Sequence, residues 1–457
     1  MLKTTSDFQE MRARNRFLMA FCLVLALLLC PKPGRALNTT LTTGDHKLLF
    51  MRVDFSDNPG EMISQRDAER EMNEVTEFMK QNSYGKFRLT GVVTPLLRMP
   101  KSFVEYQKLS GSIIRQICDD ARKVAQQAAF NPNDYTFDVL AYRKARQFPG
   151  FLNNLDGWAL HNQRDLLLTV PDGRTVAHEL GHNFGLTHWH GSLWRTTDGS
   201  ISGAGAREER GNPFDRMGNN YSYEAHFNSR AKLELGWIEE SGIQRVGKSG
   251  VYVIQAHDSP HANGVRALEI HNGTDTERKL WVEFRQSFPR NDWVSNGALI
   301  SASYPEGFTN LFDTTPQTHT TNDAALVIGR TFSDAAAKVH ITLLRRIPAD
   351  PAVTGAPASL EVAVNVGFFD KNRPPTATLK VPEKAPRNQP VSFEVQTDDP
   401  DGDELSYYWE FNNGRFSTQS LSKFEMPFKI SGPYTVKCVV SDRKGGIATQ
   451  SFRFTIT

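Results

Sequence analysis

The amino-acid sequence predicts a multidomain fold, an α+β unit with a mixed, twisted sheet and packed helices followed by two all-β units. Three observations predict it. A chain of 457 residues exceeds what one hydrophobic core organises, at roughly 100–200 residues per domain. Strand-like and helix-like windows alternate up to Trp237, and only strand-like windows separated by turn residues follow, which is the pattern of a mixed sheet succeeded by antiparallel β structure. Arg373-Pro374-Pro375 then interrupts the strand pattern as an interdomain linker does.

The elements follow in chain order. Arg12, Arg14 and Arg16 precede an apolar run from Phe17 to Cys30, with Pro31, Pro33, Gly34 and Ala36 after it. The run is short for a membrane span, and its flanks are those of a signal peptide cleaved after Ala36. Secretion is therefore expected, with a retained N-terminal anchor at the cell surface as the alternative and no stable membrane insertion once the signal is removed. HKLLFMRVDF from His46 to Phe55 reads as a buried strand, and Ser64 to Lys80 as a helix. Ser110 to Ala129 reads as a second helix with Ile113, Ile114, Ile117 and Val124 on one side, and Phe137 to Tyr142 as a strand. Beyond Trp237, the runs Val251–Gln255, Arg266–Ile270, Leu280–Arg285, Ala298–Ala302, Val339–Leu344 and Leu360–Val366 predict an antiparallel sandwich over 238–370 whose role the sequence does not reveal. Thr378, Val391–Val395, Leu405–Phe411, Tyr434–Ser441 and Ser451–Thr457 predict a smaller all-β unit. The boundaries are thus 1–36, 37–237, 238–370 and 371–457.

Composition narrows the function classes. Residues 1–36 carry six basic and two acidic residues, so their removal takes the formal charge from +2 to −2, and no nucleic-acid signature remains. Of four cysteines, Cys22 and Cys30 leave with the signal. Cys118 and Cys438 fall in different units, as one interdomain disulfide or as two buried thiols.

Chemistry is concentrated in VAHELGHNFGLTHWH, Val176 to His190. His178 and His182 are four apart and share one helix face, so both can point at one ion while Glu179 projects beside them. Gly185 is the residue best suited to break the helix and redirect the chain. His188 can then close a three-histidine site with one open position, the catalytic arrangement of a single zinc ion. Water activated by that zinc, with Glu179 as general base, would hydrolyse a peptide bond. By chance the bare H-E-x-x-H arises about once in fifty such chains, and with Gly185 and His188 added below about one in ten thousand.

This extended motif resembles that of the metzincins, with Met217 in NPFDRMGNNY where the family has its Met-turn. HKLLFMRVDFSD, SYGK (Ser83–Lys86), GWAL (Gly157–Leu160), NPFDRMG and LGW (Leu235–Trp237) are together similar to the gametolysin-like metallopeptidases, over residues 40–240. The resemblance implies a metzincin catalytic domain in which Met217 forms a hydrophobic floor under the histidines, and in which the strand near Leu166–Val170 is the edge along which substrate pairs. Some metzincins steady the tetrahedral intermediate with a tyrosine after the Met-turn. Tyr221 is the candidate and Tyr223 lies beside it, although a packing role suits both. No cysteine-bearing propeptide stands between Leu37 and His46, which leaves latency open. His161 and His190 lie near the motif as solvated or supporting histidines.

DDPDGDELSYYWEFNNG (Asp398–Gly414), Gly432–Val436 and Val440-Ser441-Asp442 resemble a PKD repeat, with Asn412-Asn413 where that family often has Gly-Asp. This implies an immunoglobulin-like sandwich that holds extracellular matrix or wall polymer, or acts as a spacer. Asp398, Asp399, Asp401 and Asp403 could bind a structural calcium or form a solvated turn. The combined expectation is a secreted zinc endopeptidase acting on extracellular or cell-surface proteins. Its rivals are a zinc amidase acting on wall peptides, and a non-catalytic extracellular binding protein.

Overall fold

In the computed structural model, the described residues are 39–457 except 110–112, 220–221, 273–274, 319 and 354. The signal peptide expected over 1–36 lies outside them. The first unit is built on a six-stranded sheet of β1 (Gly44–Asp54), β2 (Phe87–Val93), β3 (Leu97–Arg98), β4 (Phe137–Tyr142), β5 (Gly157–Ala159) and β6 (Asp165–Leu168). Their order is β2-β1-β4-β6-β5, with β3 also on β1. All pairings are parallel except β5 against β6. Alternation along β1 sends Leu48 and Phe50 to one face, with α1 (Gln65–Asn82) and α3 (Gly173–Asn183). It sends Leu49, Met51 and Val53 to the other face, with α2 (Ile113–Gln127). Helices on both faces explain why β1 reads as an unbroken apolar run.

Ser64 caps α1 by accepting from the Asp67 amide at 3.1 Å, so the helix starts where expected but runs on to Asn82. On α2, Ile114 and Ile117 are buried with Cys118, Ala121 and Ala125, while Ile113 and Val124 are half-buried. The strand near Leu166–Val170, expected at the edge of the sheet, is an inner strand. β6 is paired on both sides, to β4 and to β5, and β5 is the outer strand of the sheet. An apolar run such as DLLL reports burial of both faces of a strand and carries no information about its edges.

The expected sandwich forms, with more strands than the sequence pattern suggests. One sheet comprises β7 (Ser192–Thr196), β8 (Gly205–Glu208), β9 (Ile243–Val246), β11 (Ala267–Asn272), β12 (Asp275–Phe284), β13 (Gly297–Ser303), β14 (Thr309–Phe312) and β15 (Leu326–Val327). Its order is β8-β7-β14-β13-β12-β11-β9, with β15 on β13. Facing it is a four-stranded sheet, β10 (Gly250–Gln255), β18 (Ser359–Val366), β17 (Val339–Ile347) and β16 (Thr331–Asp334). Leu268, Ile300 and Phe312 meet Ile341, Leu343 and Val362 between the sheets. The β7–β8 hairpin belongs to the segment that supplies the histidines, yet it joins this sheet through parallel pairing of Leu193 with Leu311. It therefore crosses the boundary drawn at residue 237.

The last unit has two sheets, β19 (Thr376–Lys380), β21 (Pro390–Asp398) and β23 (Lys423–Pro427), against β20 (Lys384–Ala385), β25 (Ile447–Ile456), β24 (Gly432–Ser441) and β22 (Ser406–Phe411). Trp409, Phe393, Val436 and Phe454 fill the space between them. It docks on the sandwich through Thr331 Oγ1 and Ser441 Oγ, 2.8 Å apart, and through Asn365 Nδ2 donating to Arg443 O at 2.8 Å. A side chain at Gly329 would stand 2.0 Å from Tyr407 O, so this contact requires glycine. Cys118 and Cys438 are free, buried thiols in separate cores, and burial pushes the Cys438 thiol up to about 12. No described helix is long and apolar enough to cross a membrane.

Candidate metal centre

The N-terminus of α3 is capped by Asp172, whose carboxylate accepts from the Arg174 amide at 2.9 Å. The helix ends in a Schellman turn. Gly185 takes φ +102°, its amide donates to His182 O at 2.8 Å, and the Leu186 amide donates to Gly181 O at 2.9 Å. Thr187 then caps a 3-10 turn, His188–Gly191, which carries His188 back toward the helix. His188 Nε2 lies 3.1 Å from His182 Nε2 and 3.2 Å from His178 Nε2.

The opposite ring nitrogens settle the tautomers. His178 Nδ1–H donates to Arg216 O at 2.7 Å and His182 Nδ1–H to Leu186 O at 2.8 Å; a carbonyl can only accept, so both Nε2 atoms carry lone pairs. The turn that Gly185 permits thus also supplies the carbonyl that orients His182. His188 Nδ1 faces Glu209 Oε1 at 3.3 Å. Three lone-pair nitrogens pointing at one another repel unless a cation lies between them. Ligands about 2.0–2.1 Å from a tetrahedral ion stand about 3.3 Å apart, close to the spacing found, so these residues fit a zinc-sized cation.

Glu179 is 5 % exposed, and its Oε2 has no hydrogen-bond partner among the described residues. Burial pushes its carboxyl up to about 8, opposed by the positive charge of Arg210. A side chain at Gly157 would come within 2.5 Å of Glu179 Oε1 and 2.6 Å of Thr175 Cγ2, so glycine on β5 is what lets the carboxylate lie directly against this strand. Burial also holds His178 down at about 3 and His182 well below its usual value, which keeps both imidazoles neutral. The buried His226 is lowered in the same way, and His257 to about 4. An unfolded chain protonates these rings below about pH 6.5 while the folded one does not. Metal-free protein should accordingly lose stability from about pH 6.5 downward, by up to about 1.4 kcal/mol per pH unit for each histidine, offset in part by Glu179, whose raised folded value acts in the opposite direction over the same range. Urea midpoints of chelator-treated protein between pH 8 and 5 check this, and a pH-independent midpoint would contradict the neutral assignment.

The segment beneath the histidines is buried and doubly anchored. Met217 is fully buried, and a side chain at Gly181 would strike its sulfur at 2.4 Å, so the sulfur packs directly on α3 between the two histidine turns. Asp215 Oδ1 accepts from the Met217 amide at 2.7 Å, and Asp215 Oδ2 from the Asn228 amide and side chain, both at 2.8 Å. The second anchor comes from the sandwich. Arg285, just after β12, donates to Phe214 O at 2.6 Å and to His226 O at 3.2 Å, and is paired with Glu283 at 2.7 Å. Glu283 also accepts from the Ser229 amide at 2.8 Å. Sequence reading missed Glu283 and Arg285, although two charges spaced by two in the apolar strand WVEFR are the signal of a buried pair.

Other expected residues fall elsewhere. Tyr221 lies outside the described residues. Tyr223 packs on Phe78 with the rings tilted by 49°, and its hydroxyl lies where a side chain at Gly173 would meet it, so it packs at the start of α3. His161 Nε2 approaches His182 Nδ1 at 3.3 Å, on the side away from the three Nε2 atoms. His190 accepts from the Thr187 amide at 3.0 Å and pairs with Glu234 at 3.2 Å. Carboxylate oxygens of Asp399, Asp401 and Asp403 gather within 4.8 Å, without Asp398. Asp401 is paired with Arg373 and Asp403 with Lys444.

Residues 372–456 match the PKD domain family. They form a PKD domain. No curated protein matches the chain. Among solved structures, a PKD domain of an M14-like peptidase from a Thermoplasmatales archaeon is 20 % identical over 19 % of this chain and 97 % of its own, with a TM-score of 0.18. The PKD1 domain of Vibrio anguillarum Epp is 31 % identical over 19 % of this chain and 95 % of its own, TM-score 0.16. The PKD1 domain of the Vibrio cholerae metalloprotease PrtV is 25 % identical over 18 % and 96 %, TM-score 0.16.

Proposed function

We propose that this chain is a secreted zinc-dependent endopeptidase of the gametolysin-like metzincin type, hydrolysing peptide bonds of extracellular or cell-surface proteins. The observation that carries the reading is the convergence of three lone-pair Nε2 atoms, 3.1 and 3.2 Å apart, next to a buried carboxylate oxygen with no partner among the described residues. Zinc bound by His178, His182 and His188 would supply a Lewis acid that polarises a carbonyl and lowers the pKa of water toward about 7. Glu179 would take the proton of the attacking water and pass it to the leaving amine. The outer edge of β5, which pairs with no other strand among the described residues, offers backbone groups to an extended peptide, with Glu179 packed against Gly157 of the same strand. Within this reading the PKD domain serves as a spacer or as a holder of matrix or wall polymer.

Hydrolysis of a quenched generic protein substrate tests the proposal. A chelator should abolish activity, and one equivalent of zinc per chain should restore it. Cleavage that survives removal of the metal would refute the zinc mechanism, whereas release of wall-peptide fragments without protein hydrolysis would move the assignment to an amidase.

A further inference from the structure

A cavity of about 720 Å³ opens at the start of β5, lined by Arg143, Lys144, Arg146, Asp156, Thr169 and Val170 among others. Three cations and one carboxylate are among its lining residues, and Arg143 and Arg146 are exposed. Its position is tied to the candidate centre by short links. Asp156 directly precedes Gly157, the residue that closes on Glu179. The Asp156 carbonyl accepts from the Thr169 amide at 2.9 Å, and its carboxylate from Lys144 Nζ at 2.6 Å. Arg143 is held by donating to Pro59 O at 2.6 Å. Asp156 is thus already engaged by Lys144, and Arg143 by Pro59 O and by Asn58 Oδ1 at 3.4 Å, so that Arg146 is the lining cation with no such partner among the described residues while Arg143 adds its charge.

We infer that this cavity is a subsite for an acidic side chain of the substrate. The inference rests on the peptidase reading above and adds a substrate class to it. A peptide that extends the sheet by pairing antiparallel to β5 runs from Ala159 toward Gly157, so the residues passing the cavity lie C-terminal to the bond beside Glu179. At about 3.3 Å per residue the cavity meets the first three of them. A carboxylate there is attracted by two guanidinium groups, and a lysine is repelled. Because the cations are exposed, the effect is modest and falls with salt.

The test uses quenched peptides of one sequence in which a single Glu, Gln or Lys is moved stepwise across the scissile bond. For the full chain, Glu at one or two positions C-terminal to the bond should lower KM about three- to tenfold relative to Gln, Lys should raise it, and the difference should shrink between about 0.05 and 0.5 M salt. Arg146→Glu should reverse the order so that Lys is favoured, and Arg146→Lys should keep it; loss of folding cannot produce a reversal. Turnover is bypassed by measuring anisotropy of labelled Glu and Gln peptides on the Glu179→Gln chain, where the Glu peptide should bind more tightly. If peptides are cleaved with no positional preference, or the two labelled peptides bind equally, the subsite is wrong while the peptidase reading stands. If no peptide is cleaved yet the Glu peptide binds more tightly in an Arg146-dependent way, the subsite stands and the hydrolytic reading falls.

Discussion

Glu179→Gln should lower kcat by about 10³- to 10⁴-fold while leaving the metal content at one ion per chain. The substitution is close to isosteric and removes only the capacity to hold a proton at Oε2, the oxygen that has no partner among the described residues. The three histidines keep their tautomers because these depend on Arg216 O and Leu186 O, which Glu179 does not touch. Burial opposes the charged carboxylate, so a neutral amide should raise the thermal midpoint of the metal-free protein or leave it unchanged. Metal analysis, single-turnover hydrolysis and thermal unfolding of the same preparation check all three parts. Residual activity within tenfold of the unsubstituted chain would remove Glu179 from the role of general base, and loss of zinc would show that it supports the ligand set.

Arg285→Met should have the largest effect on stability, about 3–5 kcal/mol. It leaves Glu283 buried without its cation, held only by the Ser229 amide and the neighbouring His257, and strips donors from Phe214 O and His226 O. Those carbonyls flank the turn that presents Arg216 O to His178, so the loss should reach the metal centre as a 10- to 100-fold weaker zinc affinity, measured by competition with a chromophoric chelator. The double variant Glu283→Gln/Arg285→Met removes both charges and should recover much of the stability, because the isolated buried charge is the costly species. Recovery of stability without recovery of zinc affinity would separate the positioning role of Arg285 from its role in folding. An unaltered zinc affinity in a folded Arg285→Met chain would show that the sandwich plays no part in holding the turn.

The dependence of a histidine ligand on an arginine more than a hundred residues away marks the limit of what local pattern can report. His178, Glu179, His182, Gly185 and His188 were legible because helix periodicity and a glycine turn act within one short segment. Each strand expected after Trp237 was legible because alternation and turn residues are local as well. The outer strand was misplaced, since edge and centre differ only in what pairs alongside, and a three-residue strand such as β5 has too few residues to show a pattern. The pairing of β7 with β14 and the basic cavity at β5 were likewise invisible as groupings, for they join segments that are distant in the chain. The sequence by itself determined the chemistry available, three imidazoles and a carboxylate at fixed helical spacing, together with the presence of a C-terminal β domain. Folding alone set the tautomers, the outer position of β5 beside Glu179 and the anchoring of the Met217 segment to the sandwich, because each depends on which distant segments pair or touch and not on spacing.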